Sequence, residues 1–205
     1  MRTILLILCL FMGTILSAQN NVLIEIENAN AAYKVITGDF VRTQTNVAKG
    51  TSIKADGTLY IVGEDQMTQH YKAPSTDLLI INGNDFYMIR GKKTNKFNTE
   101  KNKTMRSLRN TLLYCVHGKP MELATENGAE ITAEKKENEY EVVLISTKKT
   151  ARGYAKIVLT YDLKSKLLTK MQMDEYNGNS TLYEMNNLKT NGNIDAKVFD
   201  IPEKK

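Results

Sequence analysis

Tyr154-Ala155-Lys156-Ile157-Val158-Leu159-Thr160-Tyr161 alternates residue by residue, with Ala155, Ile157 and Leu159 on one side and Lys156 and Thr160 on the other. A period of two is the pattern of a β-strand buried on one face and wetted on the other. The flanking segments carry the same signal. Ala129–Lys136 and Glu139–Thr147 precede it, Leu167–Tyr176 and Ser180–Leu188 follow it, and Asn, Gly and Lys turns separate them. Within Leu167–Tyr176, Met171 and Met173 share one face, while Lys170, Gln172 and Asp174 take the other.

The first half extends the pattern. Gly38–Val47 sets Phe40, Arg42 and Gln44 against Val41 and Thr43, and Asp56-Gly57 reads as a turn before Thr58–Val62. Gln66–Lys72 stops at Ala73-Pro74, and Asp77–Ile81 and Asp85–Ile89 flank Asn82-Gly83-Asn84 as a hairpin. A last strand is expected at Val198–Ile201, ended by Pro202. Helical spacing occurs only twice. Leu23, Ile26, Asn30 and Tyr33 predict a helix near residues 21–36, closed by Gly38. Met105, Leu108, Leu112, Leu113 and Val116 predict another, capped by Thr104, stopped at His117-Gly118 and kept from resuming by Pro120. Roughly ten antiparallel strands with two short helices make a mainly β (α+β) chain built on one sheet, and a sheet of that size must curl.

Composition fixes the compartment and removes several functions. The chain has 205 residues, a formal net charge of +5 and 41% hydrophobic residues, enough for one folded domain. Met1, Arg2 and Thr3 lead into Ile4–Met12 and then to Gly13, Ser17, Ala18 and Gln19. A charged start, a short apolar run and small residues describe a secretory signal cleaved near Ala18, leaving residues 19–205 as a single exported domain. No later apolar run reaches the ~20 residues of a membrane span. Cys9 leaves with the signal without the small residue expected before a lipid-modified cysteine, so Cys115 stands alone as a small buried hydrophobe.

A curled antiparallel sheet has a concave apolar face that something must cover. Two short helices are expected to cover it incompletely and to leave a cavity. The side chains placed to line that cavity are Phe40, Leu59, Ile61, Met67, Leu79, Ile81, Phe86, Met88, Met105, Leu108, Leu112, Ile157, Leu159, Met171 and Met173. Methionine suits irregular apolar guests and equally fills gaps in a core. Spacing does not say whether Leu59 and Ile61 or Tyr60 and Val62 face inward.

The order of motifs resembles a known family. After a signal and a helix come Gly38-Asp39-Phe40-Val41-Arg42-Thr43-Gln44, Gly57-Thr58-Leu59-Tyr60-Ile61, Tyr71-Lys72-Ala73-Pro74 and Leu78-Leu79-Ile80-Ile81-Asn82-Gly83-Asn84. Near the end stand Asn191-Gly192-Asn193-Ile194-Asp195 and Val198-Phe199-Asp200-Ile201-Pro202. Across nearly the whole exported chain this is similar to the LolA-type periplasmic carrier of outer-membrane lipoproteins. The resemblance implies an incomplete β-barrel under a helical lid that opens to admit the acyl chains of a lipoprotein. It also implies handover from an inner-membrane ABC transporter, delivery to an outer-membrane acceptor, a monomeric carrier and a periplasmic location. Hydrocarbon burial is worth about 0.8 kcal/mol per methylene, so one long acyl chain in water costs roughly 10 kcal/mol and cannot cross an aqueous gap unaided. The resemblance departs at Val62-Gly63-Glu64-Asp65, where the family's best-known members place a basic residue before a proline to tie lid to sheet. A different tie is expected here.

Catalytic chemistry is not signalled. There is no G-x-S-x-G elbow, H-E-x-x-H or Gly-rich phosphate loop. Cys115 and His117 fall on different faces of a helix, and Asp174 and Glu175 on opposite faces of a strand. No catalytic residue, metal site or cofactor is expected, and an envelope hydrolase is the least favoured of three functions. The basic stretch Arg90–Arg106, with Lys92, Lys93, Lys96, Lys101 and Lys103, reads as a solvated loop or weak hairpin, or as a surface for anionic headgroups or an acidic partner. Nucleic acid is not an expected partner, because the stretch lacks aromatic interleaving. Two non-enzymatic functions remain: a carrier of acylated proteins, and a lipid- or envelope-polymer-binding sensor or scaffold on the same fold.

Overall fold

A computed structural model describes residues 20–74, 76–148 and 153–202, so the signal segment lies outside the described residues. Eleven strands form one antiparallel sheet, mainly β and not closed into a barrel. They are β1 (Val35–Asn46), β2 (Thr51–Val62), β3 (Gln66–Tyr71), β4 (Leu78–Asn82), β5 (Asp85–Arg90), β6 (Lys93–Asn98), β7 (Ala129–Lys135), β8 (Glu139–Ser146), β9 (Tyr154–Asp162), β10 (Leu168–Glu175) and β11 (Ser180–Thr190). The spatial order β6-β5-β4-β3-β2-β1-β11-β10-β9-β8-β7 follows from two meanders. β1 to β6 step outward to one edge, and β7 to β11 return from the other edge to pair with β1. The chain must therefore travel from edge to edge between β6 and β7. It does so through α2 (Lys103–Val116) and α3 (Pro120–Asn127), which together with α1 (residues 20–31) cover the concave face.

Local chemistry explains where the elements depart from the sequence expectations. The helix near residues 21–36 ends at residue 31, and β1 begins at Val35, because the β-branched run Val35-Ile36-Thr37 prefers the pleat. Asp56-Gly57 is not a turn. Gly57 lies inside β2, paired with Phe40 and Tyr71, and a Cβ there would stand 2.2 Å from the His70 carbonyl oxygen and 2.8 Å from the Phe40 ring. The missing side chain lets Phe40 lie against the backbone. Asn102, not Thr104, caps α2, its side chain accepting from the Met105 amide. Gly118, at φ +63°, ends α2, but Pro120 does not bar a further helix. It opens α3 at a position where a missing N–H costs nothing. The expected strand at Val198–Ile201 is instead a 3-10 turn, Ala196–Phe199. That turn packs against β3, where Val198 O lies 2.7 Å from His70 Nε2, so the C-terminal segment shields the convex face beside buried Thr68 and Ile80.

The core lies between the concave face and the helices. Leu59 and Ile61, not Tyr60 and Val62, face inward. Val22, Leu23 and Ile26 of α1 and Leu112, Leu113, Cys115 and Val116 of α2 join Phe40, Met67, Ile81, Phe86, Leu159, Met171 and Met173 in one apolar cluster.

Candidate functional site

Every residue expected to line a cavity belongs to that cluster. Phe40, Leu59, Ile61, Met67, Leu79, Ile81, Phe86, Leu112, Ile157, Leu159, Met171 and Met173 are buried in it, and Met88, Met105 and Leu108 pack half-buried against it. The free volume beneath the lid is uneven: it lies at the N-terminal half of α2, where Leu108 and Ile157 are among the lining residues, and is nearly absent at the other end. Under the C-terminal end of α2, between Ile36, Leu59, Ile61, Val116, Leu167 and Met185, only about 10 Å³ is free, room for one water at most. Among the described residues three helices, not two, cover the concave face, and Leu112, Leu113 and Val116 of α2 are buried against it.

Open space lies at the rim. A cleft of about 510 Å³ separates the first turns of α2 (Lys103, Thr104, Ser107, Leu108) from Tyr154, Glu175 and Tyr176 at the ends of β9 and β10. A second space of about 220 Å³ shares Ser107, Tyr154 and Tyr176 and reaches Leu144 and Ile157 on the sheet. The cleft falls in the roughly 300–1,000 Å³ range of small-molecule sites. A register shift in the β9–β10 ladder between Asp174 and Glu175 accompanies the packing of Tyr154 against the core.

The lid is fastened by polar bonds at its margins. Lys119 Nζ, in the α2–α3 connector, lies 3.1 Å from Glu64 Oε1 in the β2–β3 turn. Glu64 is one of the residues standing where the basic residue and proline were missed, so the tie exists with its charge on the lid. The Lys119 ammonium holds the Glu64 carboxyl below its usual range. Arg109 Nε donates to the Gly83 carbonyl at 2.7 Å, fixing α2 to the β4–β5 turn. Asn30 Nδ2 of α1 donates to the Lys166 carbonyl at 2.8 Å, and Tyr33, just beyond the helix, donates from Oη to the Ser165 carbonyl at 2.9 Å. Tyr140 Oη donates to Glu25 Oε2 at 2.5 Å, and Lys166 Nζ donates to Tyr140 Oη at 3.0 Å.

Sequence spacing overlooked a polar band inside the concavity. Arg42 Nη1 donates to the Tyr71 hydroxyl at 2.9 Å, and Tyr71 donates to Gln69 Oε1 at 3.1 Å. Phe40 meets the Tyr71 ring edge-on at 5.0 Å and the Tyr183 ring at 6.2 Å. Burial pushes the Tyr71 and Tyr154 hydroxyls upward, with Tyr183 a second cause in both. The signal was present, since Arg42 alternates in phase with Phe40. Burial also raises the Cys115 thiol and, with Lys119, lowers His117 to about 4, so neither is poised as a nucleophile–base pair at neutral pH.

The basic residues do not form one patch. Lys92 and Lys93 sit at the tip of the β5–β6 hairpin, and Lys101 and Lys103 at the far end of β6, roughly 20 Å along the strand. Lys96 pairs with Asp85 at 2.7 Å. Among the described residues no group of three His, Cys, Asp or Glu could hold a metal, and no helix is long and apolar enough to cross a membrane.

Solved structures share this architecture. An uncharacterised conserved protein from Thermus thermophilus aligns with a TM-score of 0.54 and 10% identity over 91% of this chain and 95% of the other. MucB aligns at 0.51 and 13% identity, covering 92% of this chain and 64% of that one. A LolA superfamily protein from Nitrosomonas europaea aligns at 0.45 and 8% identity over 90% of this chain and 98% of its own. Among curated proteins none matches. Residues 31–202 match the family described as outer membrane lipoprotein carrier protein LolA, and the chain belongs to that family.

Proposed function

We propose that this protein is a periplasmic carrier, not an enzyme, that shelters the acyl chains of a lipid-modified protein between the inner and outer membranes. In this account an inner-membrane ABC transporter loads it and an outer-membrane acceptor unloads it. The observation that carries this account is the concave face itself. A largely apolar surface from Met67 to Met173, interrupted by the Arg42–Tyr71–Gln69 band, is covered by helices rather than by a second sheet, and those helices are held at their margins by polar bonds.

The magnitudes suit uptake and release. Leu112, Leu113 and Val116 of α2 contribute about 1.5–3 kcal/mol each when buried, and one long acyl chain contributes roughly 10 kcal/mol on the same scale. Exchange of the α2 stripe for an acyl chain is thus close to balanced, as a carrier that must both take and surrender its cargo requires. The cleft beside Leu108 gives a chain its point of entry.

The test is equilibrium titration of delipidated protein with a fluorescent acyl probe, followed by displacement with a triacylated lipopeptide. Saturable one-to-one uptake reversed by the lipopeptide supports the carrier. The tight packing beneath the C-terminal end of α2 favours the second function, a sensor or scaffold that uses the same fold without transfer. For that function, probe uptake fails while an envelope polymer or partner protein still binds.

A further inference from the structure

Building on the acyl-binding function above, we propose that the concave face holds a subsite for the oxyanion head of an acidic amphiphile, a carboxylate or phosphate borne on an acyl chain, with Arg42 as its cationic anchor. This extends the ligand class beyond the uncharged acyl groups of a lipoprotein.

Arg42 stands two residues after Phe40 on β1 and shares its concave face. Its guanidinium carbon lies 4.8 Å from the centre of the Tyr71 ring, and among the described residues only Nη1 has a hydrogen-bond partner, the Tyr71 hydroxyl. Nε is buried and unpartnered. No carboxylate pairs with Arg42 among the described residues, whereas the half-buried Lys119 has Glu64 and the exposed Lys72, Lys96 and Lys136 each have a carboxylate partner. A half-buried guanidinium whose buried Nε faces no acceptor keeps part of its hydrogen-bonding capacity free on the concave side. An unpaired charge withdrawn from water is costly, and a ligand that supplies the missing anion recovers that cost on binding. The planar fork of N–H groups matches carboxylate or phosphate oxygens in a way an ammonium does not.

Position and neighbours fit an amphiphile rather than a free ion. Arg42 faces Tyr183 directly across the β1–β11 ladder, Tyr183 pairs with Met171 of β10, and the far end of β10 pairs through Glu175 with Tyr154, which lines the 510 Å³ cleft. Burial raises the Tyr154 hydroxyl, which keeps its proton to donate, whereas the Tyr71 hydroxyl already accepts from Arg42 and donates to Gln69. A head at Arg42 leaves its chain to run along Tyr154 towards Leu108.

The experiment compares a fluorescent acyl carboxylate, an acyl phosphate and the neutral acyl methyl ester on wild type, Arg42→Gln, Arg42→Lys and Tyr71→Phe. Arg42→Gln is expected to weaken the better-bound anionic probe about 10- to 100-fold and to change the methyl ester less than about threefold. Arg42→Lys should retain part of the preference, and whichever anion binds wild type more tightly identifies the head. Equal loss of charged and neutral probes, or no loss of either, overturns the subsite. A separate arm measures the melting temperature with glycerol phosphate, which has no acyl chain. If wild type takes up no acyl probe, the carrier function fails. Stabilisation of wild type and not of Arg42→Gln by glycerol phosphate then upholds the anion site alone, and no stabilisation overturns it as well. Circular dichroism of each variant establishes that it is folded.

Discussion

Lys119 Nζ and Glu64 Oε1 stand 3.1 Å apart, joining the connector of the two lid helices to the β2–β3 turn. Glu64 is 81% exposed, so the pair belongs to the class of surface ion pairs worth about 0–1 kcal/mol. It can bias lid opening without governing global stability. Lys119→Met is expected to lower the melting temperature by only a few degrees, while hydrogen exchange of α2 amides accelerates several-fold. Raising salt from about 0.05 to about 0.5 M should bring wild type towards the variant, because the pair is screened. Unchanged α2 exchange would mean that the pair does not hold the lid.

Met171→Asp or Met173→Asp should unfold the protein or cost more than about 3 kcal/mol in urea denaturation. Both positions are nearly inaccessible and packed in the cluster. Leu108→Asp, at the half-buried edge of the cleft, should cost about 1 kcal/mol or less yet reduce acyl-probe affinity at least tenfold. A mild stability effect at Met171 would restore the open hollow that the sequence suggested.

Gly57→Ala should destabilise by roughly 2–4 kcal/mol, because the new methyl meets a backbone oxygen that cannot retreat and the Phe40 ring. Gly57→Ala combined with Phe40→Leu should recover only the part due to the ring. Full recovery in a double-mutant cycle would place the strain on Phe40 alone.

His117 makes folding stability sensitive to acid. Burial, then Lys119, lowers it from 6.5 to about 4 in the folded protein, so the unfolded chain binds the proton more readily. The stability it contributes is complete above about pH 6.5 and falls away as pH drops towards 4, by up to about 3 kcal/mol. His117→Asn should flatten urea-derived stability between pH 7 and 4.5. An equal slope in wild type and variant would assign the effect to other groups.

The sheet could be read from the chain because alternation is local: Tyr154–Tyr161 and the Met171/Met173 face announce their buried side without reference to any partner. Gly57 misled because a glycine after Asp signals a turn, and only the Phe40 ring packed against it explains its place in a strand. Pro120 misled because the rule that proline breaks helices holds for interiors and not for first turns. The tie between Glu64 and Lys119 spans residues far apart in sequence, so no spacing rule could join them. The filling of the hollow depends on how α2 and α3 pass from one sheet edge to the other, which is a tertiary fact. Arg42 was visible as a partner of Phe40 on one face, but its lack of a counter-ion required the fold.

Photo-crosslinking with a diazirine-bearing triacylated lipopeptide examines the central claim most directly, since it reports where the chains lie in the unmodified protein. Crosslinks mapped by mass spectrometry are expected on Leu59, Ile61, Met171 and Met173 of the sheet and on Leu108 and Leu112 of α2, with excess unlabelled lipopeptide abolishing them. Crosslinks confined to the outer surface of the helices or the β5–β6 hairpin, or insensitive to competitor, would contradict it.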